Sequence, residues 1–292
     1  MSTLLTDRLL RDPLLGDPLS AGSRTAMIVR RFGDLELNDR ANEYQLSGRL
    51  RWRRSGDTVE LVHSYSPADI SDSVVVSELS ALVEQGVIAG RDDFEAAAVS
   101  LITSVGPDPR ASWRAFYANS VAELRFGSVP FSPIHRRARS LIDGDSVLEV
   151  GCCFGFFALQ CAGAGLRVTA TDICAGALEL LDDASTELRL PVATRVGDVR
   201  ALPFADDSFD TVTLLHLLEH LEPCDVHTAI AESCRVARRR VVIAVPYEEK
   251  ASPHFGHLRT VCEDDLRDWA SAVAGPSRIF ADHGGWLVID PE

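Results

Sequence analysis

Val147-Leu148-Glu149-Val150-Gly151-Cys152-Cys153-Phe154-Gly155-Phe156-Phe157-Ala158-Leu159 decides how the rest of this 292-residue chain is read. A short apolar run holds an acid, passes through two glycines and becomes an apolar run at helical spacing. That pattern predicts a strand, a tight turn and a helix N-terminus. Gly151 and Gly155 lack Cβ, so the backbone can turn sharply and approach a ligand, while the helix start offers unpaired N–H groups. The stretch reads as a cradle for a nucleotide-type cofactor. The plainer alternative is a strand-to-helix packing turn, and the segments downstream separate the two.

Leu166 to Asp172 reads as a second strand ending in an acid, where a carboxylate can accept ribose hydroxyls. Val196-Gly197-Asp198-Val199 supplies another acid after a short strand. Phe209 to Leu215 and Val241 to Pro246 read as two further strands. From Asp145 onward, strands and helices alternate at short spacing, which specifies a doubly wound, mostly parallel sheet. In such sheets ligands bind at the C-terminal ends of the strands, where these acids fall.

The loop spacing is not G-x-G-x-x-G. It resembles the E/D-x-G-x-G-x-G loop of class I S-adenosylmethionine (SAM) methyltransferases, with Cys153 in place of the middle glycine. The resemblance implies a Rossmann-like α/β fold with a seven-stranded sheet. It also implies a SAM site built from Glu149, Gly151, Cys153, Gly155, Asp172 and Asp198, with Asp198 on the adenine amino group. Cys153 is expected to hold a negative φ.

Composition bounds the partners. A net charge of -14 argues against nonspecific attachment to nucleic acid or to an acidic membrane surface, since both depend on positive charge. All seven cysteines lie between Cys152 and Cys262 without a C-x-x-C pair, so they read as reduced residues of a cytoplasmic protein. Met1 to Leu19 is broken by Asp7, Arg8, Arg11, Asp12, Pro13, Asp17 and Pro18, which fits neither a signal peptide nor a membrane span. Residues 1–22 are expected to be a flexible leader. The oligomeric state leaves no mark in the sequence.

Residues 23–110 are expected to form a small α+β N-terminal cap that shapes the acceptor cleft, and 111–292 the SAM-binding domain. Gln45 to Arg54, the turn Ser55-Gly56-Asp57 and Thr58 to His63 predict an antiparallel hairpin, with Arg49, Arg51 and Arg53 on one face that reads as a solvated edge, the alternative being a sugar or anion contact. Val74 to Val83 and Asp92 to Thr103 have helical spacing, and Gly106-Pro107-Asp108-Pro109 stops the second helix. Another helix begins at Trp113. His135 with Arg136 reads as a surface helix start, the alternative being a contact to the SAM carboxylate.

His216-Leu217-Leu218-Glu219-His220 follows the fourth strand. As a string it is H-x-x-E-H, a zinc-protease pattern, but that chemistry needs a long helix and here a sheet strand precedes it directly. Two readings stand. In one, His220 caps the sheet or stacks near adenosine and Glu219 is satisfied by backbone donors. In the other, His216, Glu219 and His220 face the methyl acceptor and hold a divalent metal ion together with His257. That second arrangement resembles the E-x-x-E-H element of small-RNA 2′-O-methyltransferases and coenzyme Q O-methyltransferases, with His216 replacing the first acid and shifting preference toward softer metals. In both, His220, His257 and Glu219 are the catalytic candidates, because a sugar hydroxyl needs alignment with the sulfonium methyl and a group to take its proton.

Pro133-Ile134-His135, the Cys-Phe-Gly-Phe of the loop, His216 to His220, Arg238 to Val242, Val245-Pro246-Tyr247-Glu248, Gly256 to Arg259 and Asp282 to Val288 together resemble the mycofactocin oligosaccharide methyltransferases. The resemblance implies transfer of a methyl group from SAM to a glucose hydroxyl of an oligosaccharide or glycosylated small-molecule acceptor. His283 and Trp286 read equally as a glycine bulge with a core indole or as part of a sugar-stacking pocket. Rival functions are methylation of another hydroxylated small molecule or of an RNA ribose, and SAM binding without turnover.

Overall fold

The computed structural model describes residues 26–32 and 43–292. The expected leader, 1–22, lies outside the described residues. The described residues form two compact units, one of those up to 123 together with 253–256 and the other of residues 124–252 with 257–292.

In the first unit a four-stranded sheet has the order β1-β4-β3-β2, with β1 at Ala26–Arg31, β2 at Gln45–Ser47, β3 at Leu50–Ser55 and β4 at Thr58–His63. The hairpin expected across Ser55-Gly56-Asp57 is present, pairing Ser55 with Thr58 through Leu50 with His63. Its first arm is not one strand, because Gly48 takes a φ of 55° and turns the chain between β2 and β3. Of the arginine row, Arg49 is exposed at the turn before β3, while Arg51 and Arg53 do not lie on an edge strand. β3 lies inside the sheet, and Arg53 donates to Glu60 at 2.7 Å and to Glu43 at 2.8 Å.

Three helices follow: α1 (Asp72–Glu84), α2 (Gly90–Thr103) and α3 (Pro109–Phe126). α1 is capped by the Ser71 side chain, which accepts from the Val74 N–H, and α3 opens on proline, whose missing N–H costs nothing at a first helical position. Leu50, Val59, Leu61, Leu79, Leu82, Leu101 and Phe116 are buried and form the apolar interior of this unit.

The second unit holds a seven-stranded sheet of order β10-β11-β9-β8-β5-β6-β7. The parallel strands are β5 (Ser146–Val150), β6 (Arg167–Asp172), β7 (Val192–Val196), β8 (Phe209–Leu215) and β9 (Ala237–Val245). β11 (Gly285–Ile289) runs antiparallel between β9 and β10 (Ser277–Ala281). β5 is buried throughout, and β8 and β9 are buried over most of their length, which is why they read as near-continuous apolar runs. Helices α4 (Phe131–Ser140), α5 (Phe156–Gly163), α6 (Ala175–Leu188), α7 (Pro223–Val236) and α8 (Glu263–Ser271) complete the unit. The fold is the Rossmann-like, doubly wound α/β arrangement expected.

This strand order positions the site. The chain winds from β5 through β6 to β7 on one side, then returns to place β8 on the other side of β5. The order reverses there, and a crevice opens beyond the C-terminal ends of β5 and β8. No helix among the described residues is long and apolar enough to cross a membrane. None of the seven cysteines, all of which are described, forms a disulfide.

Candidate active site

The loop after β5 is built by local hydrogen bonds. Gly151 and Cys152 donate their backbone N–H groups to the Thr171 carbonyl at 2.8 and 3.1 Å, and the Gly155 N–H donates to the Cys152 carbonyl at 2.7 Å. Gly151 and Gly155 have φ of 68° and 67°, and a Cβ at either would press into Leu217 or Leu181. Cys153, expected at negative φ, sits at 49°. The position keeps the left-handed backbone of the glycine it replaces, because the turn requires that geometry whichever residue occupies it.

Glu149 is buried on β5, and its Oε2 accepts the Ala158 N–H at 2.9 Å in the first turn of α5. Burial pushes its carboxyl up to about 8. The side chain thus ties strand to helix across the loop. Asp172, at the end of β6, accepts the Cys153 N–H on Oδ2 at 2.8 Å and the Cys174 N–H on Oδ1 at 2.9 Å. Ile173 beside it is exposed, as is Val196, its register partner's side chain on β7. Asp198 accepts from the Arg200 guanidinium on both oxygens, at 3.0 Å on Oδ1 and 2.6 Å on Oδ2. Those bonds hold its carboxyl below the usual carboxylate range, and Arg200 also reaches Asp225 at 3.0 Å.

Across the crevice, β8 ends at Leu215 and His216 turns the chain with φ of 53°, its N–H donating to the Ala244 carbonyl at 2.9 Å. A short helical turn, Leu218–His220, follows. Glu219 is 0% exposed, and neither of its carboxylate oxygens accepts a hydrogen bond. Its own backbone N–H tempers the carboxyl without reaching hydrogen-bond geometry, so backbone donors leave it unsatisfied. Burial raises its carboxyl to about 8.

Histidines surround that carboxylate. His216 Nδ1 lies 3.7 Å and His257 Nε2 4.0 Å from Glu219 Oε1, and the His220 and His257 rings meet edge to face at 4.9 Å. One ligand atom each from Glu219, His220 and His257 falls within 4.8 Å of the others. His216 stands outside that set of three, its ring against Phe131 at 5.1 Å, and burial lowers its pKa to about 4.

Sequence reading missed Glu248. Its Oε2 meets His257 Nδ1 at 2.7 Å and its Oε1 accepts from the Ser252 hydroxyl at 2.8 Å. A lone acid in an irregular loop gives no spacing signal. His135 is a correction: it is buried rather than on a surface, packed edge-on against Phe157 at 5.4 Å, with its pKa lowered by burial to about 4. The amphipathic face of the arginine-rich α4 carries it inward. Trp286 is 1% exposed, stacked on Phe280, and donates its indole N–H to the Asp282 carbonyl at 2.8 Å. It belongs to the core and offers no face to a sugar, whereas His283 is exposed.

The glycine loop follows β5 and the histidine–carboxylate group follows β8, the two strands between which the strand order reverses. Residues 148–245 match the family model described as a methyltransferase domain. The chain is 34% identical over 138 residues to the demethylmenaquinone methyltransferase of Renibacterium salmoninarum, covering 47% of this chain and 54% of that protein. It is 36% identical over 81 residues to the ubiquinone biosynthesis O-methyltransferase of Alkalilimnicola ehrlichii, covering 27% of this chain and 33% of that one. It spans about half the length of the demethylmenaquinone relatives it matches, 54% here and 57% for that of Thermobifida fusca. Among solved structures, a Pyrococcus horikoshii protein is similar with a TM-score of 0.48 at 16% identity, over 56% of this chain and 89% of that chain.

Proposed function

We propose that the chain is a SAM-dependent O-methyltransferase acting on a glucose hydroxyl of an oligosaccharide, the acceptor class of the mycofactocin oligosaccharide methyltransferases its strings resemble. The observation that carries the methyl-transfer reading is the methyltransferase-domain match over residues 148–245, which spans the glycine loop, the three acids and the Glu219–His220 turn. SAM suits the loop side. The exposed apolar side chains Ile173 and Val196 flank Asp172 and suit a base face, and Asp172 suits ribose hydroxyls. Gly151 and Gly155, which carry no Cβ, suit the methionine half on either side of Cys153.

The acceptor suits the other side. A hydroxyl is a weak nucleophile near neutral pH, and the sulfonium methyl is already a good electrophile. The residues must align oxygen, carbon and sulfur in line and remove a proton as the bond forms. His257, braced by Glu248, and His220 are the groups that take it. The same reading places the chain in the cytoplasm.

Mass spectrometry of an oligoglucosylated mycofactocin acceptor incubated with the purified protein and SAM, with and without chelator, tests it. One methyl increment per acceptor is expected. No increment alongside confirmed SAM binding would remove the sugar. A second reading, a quinone-type phenol, is favoured by the similarity to demethylmenaquinone and ubiquinone biosynthesis methyltransferases, and a demethylated quinol in the same assay distinguishes it.

A further inference from the structure

Gly285 opens β11, paired with Val245 on one side and Ala281 on the other, so the sheet fixes its backbone. A Cβ built there would lie 2.5 Å from Cε1 and Cζ of Tyr247 and 2.6 Å from its hydroxyl oxygen. Near-equal distances to three atoms in a bent row put that point over the plane of the ring, not beside its edge. Tyr247 therefore rests one face on bare backbone, in a seat that any side chain at 285 would fill. The ring is nonetheless 41% exposed. It lies two residues past the end of β9, at the C-terminal end of the sheet, where ligands bind in folds of this kind. The next residue, Glu248, braces His257 through the 2.7 Å contact to Nδ1.

The rim of that ring is charged. Burial pushes the Tyr247 hydroxyl above its usual value; Glu263, Cys262 and Asp265 at the start of α8 add to the rise, and Arg267 opposes it. Asp265 is occupied by Arg259 and by the Cys262 N–H. Glu263 and Arg267 pair with each other on the surface, their side chains 55% and 58% exposed. An open aromatic face with a carboxylate and a guanidinium at its edge suits a ring with C–H bonds on its faces and hydroxyls around its circumference. The π face draws the polarised C–H hydrogens, and the charged groups take the hydroxyls. A flat apolar ring would use the face and desolvate the charges without return.

We infer that Tyr247 is the platform on which a pyranose ring of the acceptor stacks, with Gly285 as the bare seat that holds it and Glu263 and Arg267 reaching the sugar hydroxyls. The inference rests on the glucose-acceptor reading and deepens it. It gives the stacking role to a ring with an open face, since the Trp286 indole is enclosed. Phe131, also partly exposed, instead meets the His135 and His216 rings at 6.0 and 5.1 Å. The second glycine of Gly284-Gly285 thus has a use beyond the turn into β11: it makes room for Tyr247.

Steady-state kinetics of the full chain with oligoglucosylated mycofactocin test it. Tyr247→Ala should raise KM for the glucan by roughly 3- to 10-fold while kcat and SAM affinity hold, and Tyr247→Phe, which keeps the ring, should recover most of the loss. Gly285→Ala should raise KM similarly by displacing the ring. In the double variant the two effects should not add, because a methyl group at 285 then has no ring to displace. Additive effects, or an unchanged KM in Tyr247→Ala, would overturn the platform. A readout without turnover uses carbon-13-labelled tyrosine, of which the chain has four. Titration with the same glucan, in the presence of the demethylated form of SAM, should move the Tyr247 ring signals and shift sugar C–H protons upfield, and Tyr247→Ala should abolish the upfield shift. Glucan methylated by wild type with the Tyr247 signals unmoved would overturn the platform and leave the glucose reading standing. Glucan that neither binds nor is methylated, with a demethylated quinol moving those signals, would overturn both.

Discussion

The backbone N–H of Cys153 donates to the Asp172 carboxylate across 2.8 Å, which makes the glycine loop and the end of β6 one hydrogen-bonded unit. Asp172→Ala removes that brace together with the ribose acceptor of the proposed SAM site. SAM affinity should fall by about 1–3 kcal/mol, the range for losing hydrogen bonds of this kind. Calorimetric titration with SAM or its demethylated product measures it, and unchanged affinity would remove Asp172 from the cofactor site.

Cys153 itself holds a left-handed backbone that most side chains avoid. Cys153→Gly should be neutral to mildly stabilising, whereas Cys153→Val, branched at Cβ, should cost about 1–3 kcal/mol and weaken SAM binding with it. Thermal and urea melts of the two variants check the sign. A valine variant as stable as wild type would show that the loop is free to relax.

Glu149 links pH to stability. Burial raises its folded-state pKa to about 8, above the unfolded carboxylate value. The folded state therefore holds this proton more tightly, so the stability it contributes is complete at pH below the unfolded pKa. That stability drains away as pH rises toward about 8. Glu149→Gln keeps an acceptor for the Ala158 N–H and removes the titration. Urea midpoints between mildly acidic and mildly alkaline pH should fall for wild type and stay flatter for the variant; parallel curves would contradict the assignment.

Within the proposed reaction, His220→Ala and His257→Ala should each lower the methylation rate by roughly 10²- to 10⁴-fold while SAM affinity holds. Turnover and SAM titration on the same preparations test this. Unaltered turnover in both would take the two histidines out of the chemistry.

Trp286 is packed within the sheet and its indole N–H is satisfied by the Asp282 carbonyl. Trp286→Ala should cost about 3–5 kcal/mol of folding stability through the cavity it leaves. Trp286→Phe should be tolerated with no change in acceptor affinity. A selective loss of acceptor binding in the phenylalanine variant would return the indole to the site.

What could be read in advance follows from where physical constraints leave a periodic trace. β5, β8 and β9 are buried on both faces, so they stand out as apolar runs, and the glycines at 151 and 155 mark the turn between them and the helix. The left-handed Cys153 leaves no such trace, because a residue type does not announce its φ. His135 looked like a surface residue because α4 is rich in arginine, yet one helical face turns it inward. Gly48 divides what alternation alone made a single strand. Glu248 and its bond to His257 join an irregular loop to a distant ring, a tertiary relation that no local spacing encodes.

The position of β11 bears on how the protein is made. The strand that covers β9, through pairings from Gly285 with Val245 to Ile289 with Val241, is the last in the sequence. During synthesis, one edge of β9, carrying Val241, Ile243 and Val245, therefore emerges well before its partner exists. A nascent chain paused ahead of Gly285 exposes an unpaired, strongly apolar strand, the kind of edge that recruits chaperones or pairs with a neighbouring chain. The closing hairpin acts as the latch of the sheet, so ribosome-bound chains lacking it should be the aggregation-prone species.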